Sequence, residues 1–444
     1  MRSPSDPDSI GRAFLVLIAI VAFGLGGWFG FRGLGGEHIL ASVPIPMRAA
    51  EKLPDTPEEW HGRIDYHTLD RQLAELSARP EMAGLAVAVV EEGELRFVRT
   101  YGVADASTGA PVTPHTLFRW ASVSKTATGV LAAALAHDGA VDLERPVADW
   151  HTSLRLPGGA EARLTLEDLL AQRTGLTKNA YDEKLEAGEE PALLRASLAT
   201  APLQCEPRTC HTYQNIAFDA ASEILAEAAT KPFPDAVEDR FFRPLGMVGA
   251  GYGMARLTGA RDWAKPHHQG QVTPVKEAYW RVPAAAGVES DIVDFATWMQ
   301  AMMGNRPDVL PPAVLQLAHR PRVGTGRLYG GPLRQALGAG AYGLGWRSFA
   351  YGALRLEGHS GAVAGYRATM IFEPATRTGV VAMWNSNWGF PFRIPFAAID
   401  SYHQRADGRW LDLSELPQIV TPAQAGTTMN ATGNHVFRSP SLAK

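Results

Sequence analysis

Between Tyr66 and Ala78 the stretch YHTLDRQLAELSA spaces Leu69, Leu73 and Leu76 as one face of an amphipathic helix would. From Gly84 to Gly102, GLAVAVVEEGELRFVRTYG holds two apolar runs that meet at Glu92 and Gly93, which predicts a β-hairpin. Helical patterns dominate from Thr126 to Met303, among them LTLEDLLAQRTGL, AFDAASEILAEAAT and SDIVDFATWMQAMM, broken by proline and glycine turns. Ala353 to Ser386 returns to short β-type runs separated by the turn-rich EPATRTG, and FRIPFAAIDSYHQRA reads as a closing helix.

Strands at both ends with helices between them predict an α+β fold, in which the terminal segments share an antiparallel sheet and the middle forms an all-α lobe. A cleft between sheet and lobe is the default site. The pattern puts this domain at residues 58–405 and reads 406–444, where periodicity is lost, as a mobile tail. Gly304 to Gly340 reads as loops that shape the cleft, and no internal repeat is present.

Ahead of the domain, Ala13 to Phe31 (AFLVLIAIVAFGLGGWFGF) is uncharged and close to the ~20 residues a helix needs to cross a bilayer. Its apolar run exceeds the roughly 7–15 residues of a cleavable signal peptide, and no small-x-small site follows at once. It is read as an uncleaved transmembrane anchor, with residues 1–12 on the cytoplasmic side and 32–57 as a linker. The domain is then placed on the periplasmic or extracytoplasmic side.

Composition narrows the function. Forty-six acidic against 42 basic residues, without a basic block, leave no footprint for nucleic acid. The two cysteines, Cys205 and Cys210, would be free thiols in a reducing compartment and a disulfide in an oxidising one. On the outer side of a membrane they fit a small disulfide loop on the approach to Tyr213, and a zinc site with His211 is the alternative. The pair His267 and His268 reads as loop surface.

Candidate chemistry begins at Ser122, three residues before Lys125, where the strand-like TLFRWAS enters the helical KTATGVLAAALAHDG. A serine at a helix N-terminus lies beside unsatisfied N–H groups, and a lysine one turn on shares its face and can serve as base once burial or a second cation lowers its proton affinity. The spacing recurs at Ser441 and Lys444, so it is not specific, and by itself fits an N-cap beside a solvated lysine. Tyr213 and Asn215 form the one Y-x-N of the sequence; the phenol could pass protons and the amide hold the lysine, or the two could simply pack and cap. Of three H-x-G stretches, at His137, His268 and His359, only that of His359 precedes strand-like runs. Gly361 there would let a substrate approach the backbone, and the Ala362 N–H could complete an oxyanion hole.

Taken in order, Ser122 to Lys125, Tyr213 to Asn215 and His359 to Gly361 resemble the motifs of serine β-lactamases and penicillin-binding proteins. With Y-x-N second, the likeness is to class C β-lactamases and the related D,D-peptidases and esterases, and LEDLLAQRTGL, FFRPLGM, AAGVESDIVDFATWM and YGLGW extend it over roughly residues 60–400. The resemblance implies a β-lactamase/transpeptidase-like fold and an acyl-enzyme on Ser122. Lys125 would be its base, Tyr213 a proton relay and Asn215 an orienting amide. His359 and Ser360 would line the opposite wall, and the N–H groups of Ser122 and Ala362 would hold the oxyanion.

Neither metal nor cofactor is implied, and the expected partner is a small-molecule or peptide acyl substrate: a β-lactam, a D-alanyl peptide or, for a carboxylesterase, an ester. Where class C enzymes carry K-T-G this sequence has His359-Ser360-Gly361; a histidine is charged only part of the time near neutral pH, which weakens carboxylate recognition. Two other readings compete. GHSGA nearly matches the α/β-hydrolase elbow around Ser360 but lacks its final glycine and following helix. An anchored, non-catalytic sensor of cell-wall fragments could keep the fold without turnover.

Overall fold

The computed structural model describes residues 52–416 apart from 328, 407 and 415. The anchor expected at 13–31, its flank 1–12, most of the linker and residues 417–444 of the tail lie outside the described residues. Among the described residues no helix is long and apolar enough to cross a membrane.

Among the described residues nine strands form one antiparallel sheet: β1 (Gly84–Glu91), β2 (Glu94–Asp105), β3 (Ala110–Pro111), β4 (Val323–Gly326), β5 (Leu337–Tyr342), β6 (Arg347–Tyr351), β7 (Leu354–Val363), β8 (Tyr366–Glu373) and β9 (Thr378–Trp384). Their order, β3-β2-β1-β9-β8-β7-β6-β5-β4, brings the two ends of the domain together where β1 pairs with β9, Leu85 opposite Trp384. At the β1–β2 hairpin Glu92 and Gly93 both take positive φ (54° and 87°), the combination a tight two-residue turn needs to match the strand twist.

Strand β1 is buried along its whole length because the sheet is covered on both faces. With a side-chain period of two, Leu85, Val87 and Val89 enter one core and Ala86, Ala88 and Val90 the other. The first core is filled by helix α1 (Tyr66–Ser77), through Leu69, Leu73 and Leu76, and by helix α5 (Ile394–Tyr402). The second belongs to the lobe, with helices α2 (Ser124–His137), α3 (Ala220–Ala229) and α4 (Ile292–Met302). Burying each such Leu or Val contributes about 1.5–3 kcal/mol, so both faces hold the sheet.

Five details differ from the expectations. The lobe is not all-α: Val288–Ser290 pairs with Phe118–Arg119 on one side and Gly251–Tyr252 on the other in a small antiparallel sheet. LEDLLAQRTGL is helical only at Leu166–Leu170, because Gln172 turns left-handed (φ 61°) and spends its amide on the Tyr213 loop. Gly304–Gly340 is not all loop: Pro312–His319 is a helix, and β4 and β5 extend the sheet in a glycine-rich stretch that carries little strand signal. His267 is not surface but fully buried, with Nε2 accepting the Ala106 N–H at 3.1 Å. Packing also runs past residue 405: Trp410 and Leu411 are buried, and Trp410 donates to Asp400 at 2.8 Å.

Candidate active site

Ser122 sits in a one-turn 3-10 segment, Ala121–Val123, directly ahead of α2. Ala121 adopts φ 49°, a conformation that costs an alanine roughly 1–2 kcal/mol, and this bend delivers Ser122 to the cavity. Helix α2 is alanine-rich because it is buried from Ser124 to Ala134, and at Gly129 a β-carbon would stand 1.6 Å from the Leu344 carbonyl. The YGLGW stretch therefore lies on the helix backbone itself.

Lys125 is fully buried and not a solvated first-turn residue. Its Nζ lies 2.7 Å from Asn215 Oδ1, 2.9 Å from the Ala285 carbonyl and 3.5 Å from Ser122 Oγ. A lysine acting as base offers two N–H donors and one lone pair; here two fixed acceptors can take the donors, and the lone pair is then left for the serine proton. The 3.5 Å separation is of the kind that tightens when substrate binds. The Tyr213 ring centroid is 4.8 Å from Nζ and that of Phe218 5.3 Å.

Tyr213 is held by a clamp: Gln172 donates to the Gln214 carbonyl at 3.0 Å and accepts the Gln214 N–H at 2.7 Å. Cys205 and Cys210 form a disulfide, so the alternative zinc site has no free thiols. The loop they close is tied down by Asp168, which pairs with Arg173 at 2.8 Å and Arg208 at 2.9 Å. Burial pushes the Tyr213 phenol up, but the charges of Lys125 and Arg347, with hydrogen bonding from Lys125 and Ser122, outweigh it and the net direction is down.

The opposite wall is β7. Strand β6 pairs with it only as far as Gly358, so from His359 onward one edge of β7 is open toward the Ser122 turn. A β-carbon on Gly361 would lie 2.1 Å from the Trp120 carbonyl and 2.9 Å from the Ser122 nitrogen, so glycine is what allows strand and turn to meet. Ser122, Tyr213, Asn215, Ser360, Gly361 and Ala362 line one cavity of about 450 Å³. A larger groove of about 1220 Å³, between Pro312–His319 and the ends of β7 and β8, contains none of these groups.

His359 departs from expectation: it is fully buried behind the wall. Burial, then the charges of Arg347 and Lys125, hold its imidazole well below the usual histidine value, so it is neutral at physiological pH. Its Nε2 lies 3.0 Å from the Tyr342 hydroxyl and 3.4 Å from Arg347 Nε, which can only donate, so Nδ1 carries the proton toward the Ser360 carbonyl at 2.8 Å. Ser360 Oγ meets the Tyr329 hydroxyl at 3.0 Å and Thr369 Oγ1 at 3.2 Å.

Two cations line the cleft, Lys178 and Arg347; Arg347 is the one beside the reacting groups, 5.3 Å from the Tyr213 centroid and without a carboxylate partner within ion-pair distance among the described residues. Sequence reasoning missed it, although it directly follows YGLGW. His211, also in the cleft, is pushed down to about 4 by burial and by Arg347 and Lys178. Asp182, missed as well, accepts from Asn215 Nδ2 at 2.7 Å. Burial pushes its carboxyl up to about 6 against the hydrogen bond from Asn215 and the Lys125 charge.

An antiparallel sheet with a helical lobe, and a serine, lysine and tyrosine gathered at their seam, defines the superfamily of serine β-lactamases and penicillin-binding proteins. Within it, the chain belongs to the beta-lactamase family, whose model matches residues 69–402. It is 27% identical over 346 residues to the unguisins hydrolase ungD of Aspergillus violaceofuscus, covering 72% of this chain and 61% of that protein. It is 30% identical over 211 residues to the esterase EstB of Burkholderia gladioli, covering 44% of this chain and 53% of that protein. The chain thus spans about three fifths or less of the length of these relatives. The octameric penicillin-binding protein homologue from Pyrococcus abyssi has the same fold, with a TM-score of 0.68 at 19% identity over 77% of this chain and 78% of that one.

Proposed function

We propose that this protein is a serine hydrolase that cleaves an amide or ester through an acyl-enzyme on Ser122. The carrying observation is the buried Lys125 amine, whose two fixed acceptors leave Ser122 Oγ as the third neighbour at 3.5 Å. Ser122 Oγ attacks the scissile carbonyl and its proton passes to the Lys125–Tyr213 pair. Tyr213 then delivers that proton to the leaving nitrogen or oxygen. Water attacks the acyl-enzyme, the pair takes the water's proton, and its return to Ser122 Oγ releases the acid. The N–H groups of Ser122 and Ala362 hold the oxyanion at the open edge of β7.

The substrate of this reading carries an anionic group beside the scissile bond, as β-lactams and D-alanyl peptides do. Arg347 supports it, supplying the permanent charge that neutral His359 does not. A second reading, a carboxylesterase, is favoured by the aromatic lining of Tyr213, Tyr279, Tyr329 and Phe392 and by the esterase among the relatives. In both readings residues 13–31 anchor the domain on the extracytoplasmic side, a placement supported by the disulfide, which persists in oxidising compartments. Hydrolysis of nitrocefin, a D-Ala-D-Ala peptide and a short p-nitrophenyl ester by wild type and Ser122→Ala tests the proposal. It requires turnover of at least one, lost in the variant; turnover that survives the substitution contradicts it.

A further inference from the structure

Lys125 is placed by an amide whose own orientation is decided from behind. Asn215 presents Oδ1 to Lys125 at 2.7 Å and Nδ2 to Asp182 Oδ2 at 2.7 Å. An ammonium can only donate and an ionised carboxylate can only accept, so with Asp182 at its back the amide has one orientation, carbonyl toward the lysine. Tyr181, in a left-handed conformation (φ 65°), turns the chain so that Asp182 starts a short helix at the cleft wall. Asp182 is 9% exposed, and its Oδ1 has no hydrogen-bond partner among the described residues. A buried carboxylate oxygen left without a donor costs on the order of 1–3 kcal/mol, an arrangement that packing alone does not call for.

We infer that Asp182 is a positioning residue that fixes the Asn215 amide and, through it, sets how readily the Lys125–Tyr213 pair gives up its proton. The inference rests on the acyl-enzyme reading above. The groups facing Asp182 are Lys125 from α2, the Tyr279 hydroxyl at 3.3 Å and, sharing that hydroxyl at 3.1 Å, Glu186. Arg347 also faces the pair, 5.3 Å from the Tyr213 ring centroid. The sign follows from charge. Ionised Asp182 stabilises the protonated, inactive form of the pair and raises its apparent pKa; a neutral residue there lowers it. Asp182 titrates at about 6, so its influence is present above that pH and fades below it.

The test is the pH dependence of Ser122 acylation by a fluorophosphonate, on the full chain, followed by intact mass. Asp182→Asn keeps an acceptor for Asn215 and removes the charge, and is expected to move the acid limb of the rate profile down by about one pH unit. Asp182→Ala frees the amide to turn and is expected to lower the maximal rate about 10–100-fold. Tyr279→Phe removes a donor that favours ionised Asp182, so it shifts the limb in the same direction by less, and it serves if the Asp182 variants do not fold. A limb that stays in place or moves up in Asp182→Asn and Tyr279→Phe, with wild type labelled normally, overturns the inference alone. Wild type that is not acylated at Ser122 overturns the acyl-enzyme reading and this inference with it.

Discussion

Arg347 Nε lies 3.4 Å from His359 Nε2, and burial first, then this charge, keep neutral the histidine that occupies the place where class C β-lactamases carry a lysine. A permanent positive charge, that of Arg347, thereby stands one strand over from where the motif puts it. The Arg347→Ala variant is expected to lose about 10–100-fold in kcat/KM toward a substrate with a carboxylate near the scissile bond, the range for one charge-assisted contact. A neutral p-nitrophenyl ester should be affected several-fold at most. Equal losses on both would mean that Arg347 supports the wall and does not read the substrate.

Gly361→Ala tests the contact between strand and turn. Its added methyl would fall 2.1 Å from the Trp120 carbonyl, against backbone that cannot rotate away. The expected cost is about 1–3 kcal/mol in urea unfolding, with a fall in Ser122 acylation larger than the stability loss explains. Retained acylation would show that the Ser122–Gly361 approach is not needed.

His359 and His211 also set an acid limit. Both have native values below the ordinary 6.5, so between 6.5 and those values the unfolded chain binds protons that the native state does not. Their contribution to stability is present above pH 6.5 and is lost as pH falls toward 4. His359→Gln should flatten the fall in unfolding free energy between pH 6.5 and 5 relative to wild type. An unchanged slope would mean that His359 charges in the folded state.

The Cys205–Cys210 bridge closes a short loop, for which the chain-entropy relation gives about 2 kcal/mol. Because Asp168 and the Gln172 clamp tie the same region to the helical lobe, reduction is expected to lower Tm without unfolding the protein and to lower kcat more than it raises KM. Thermal melts and kinetics with and without dithiothreitol check this. A change in KM alone would separate the loop from Tyr213.

The groups that gather in the cleft were legible because each is a local pattern: Ser122 and Lys125 stand three residues apart where a 3-10 segment enters α2, and Tyr213 and Asn215 stand beside a turn, whereas the burial of His359 was not legible. Helix α1 and the β1–β2 hairpin were legible for the same reason, their periodicity being intact. Asp182 and Arg347 were not, since a lone acid in NAYDE and a lone arginine after YGLGW acquire meaning only through partners 33 and 12 residues away, Asn215 and His359. The burial of His267 comes from Asn385, at 3.1 Å but 118 residues distant, and no window of sequence contains both. Strand β5 was hidden because LGAGAY owes its conformation to pairing with β6.

In the proposed reaction Ser122 is acylated with Lys125 as its base. Intact-mass and peptide-mapping analysis after exposure to a fluorophosphonate tests it most directly, comparing wild type with Lys125→Met. One adduct is expected, on the peptide containing Ser122, forming about 10²–10⁴-fold more slowly in the variant. An adduct on Ser360 or elsewhere, or equal rates in the two proteins, would contradict it.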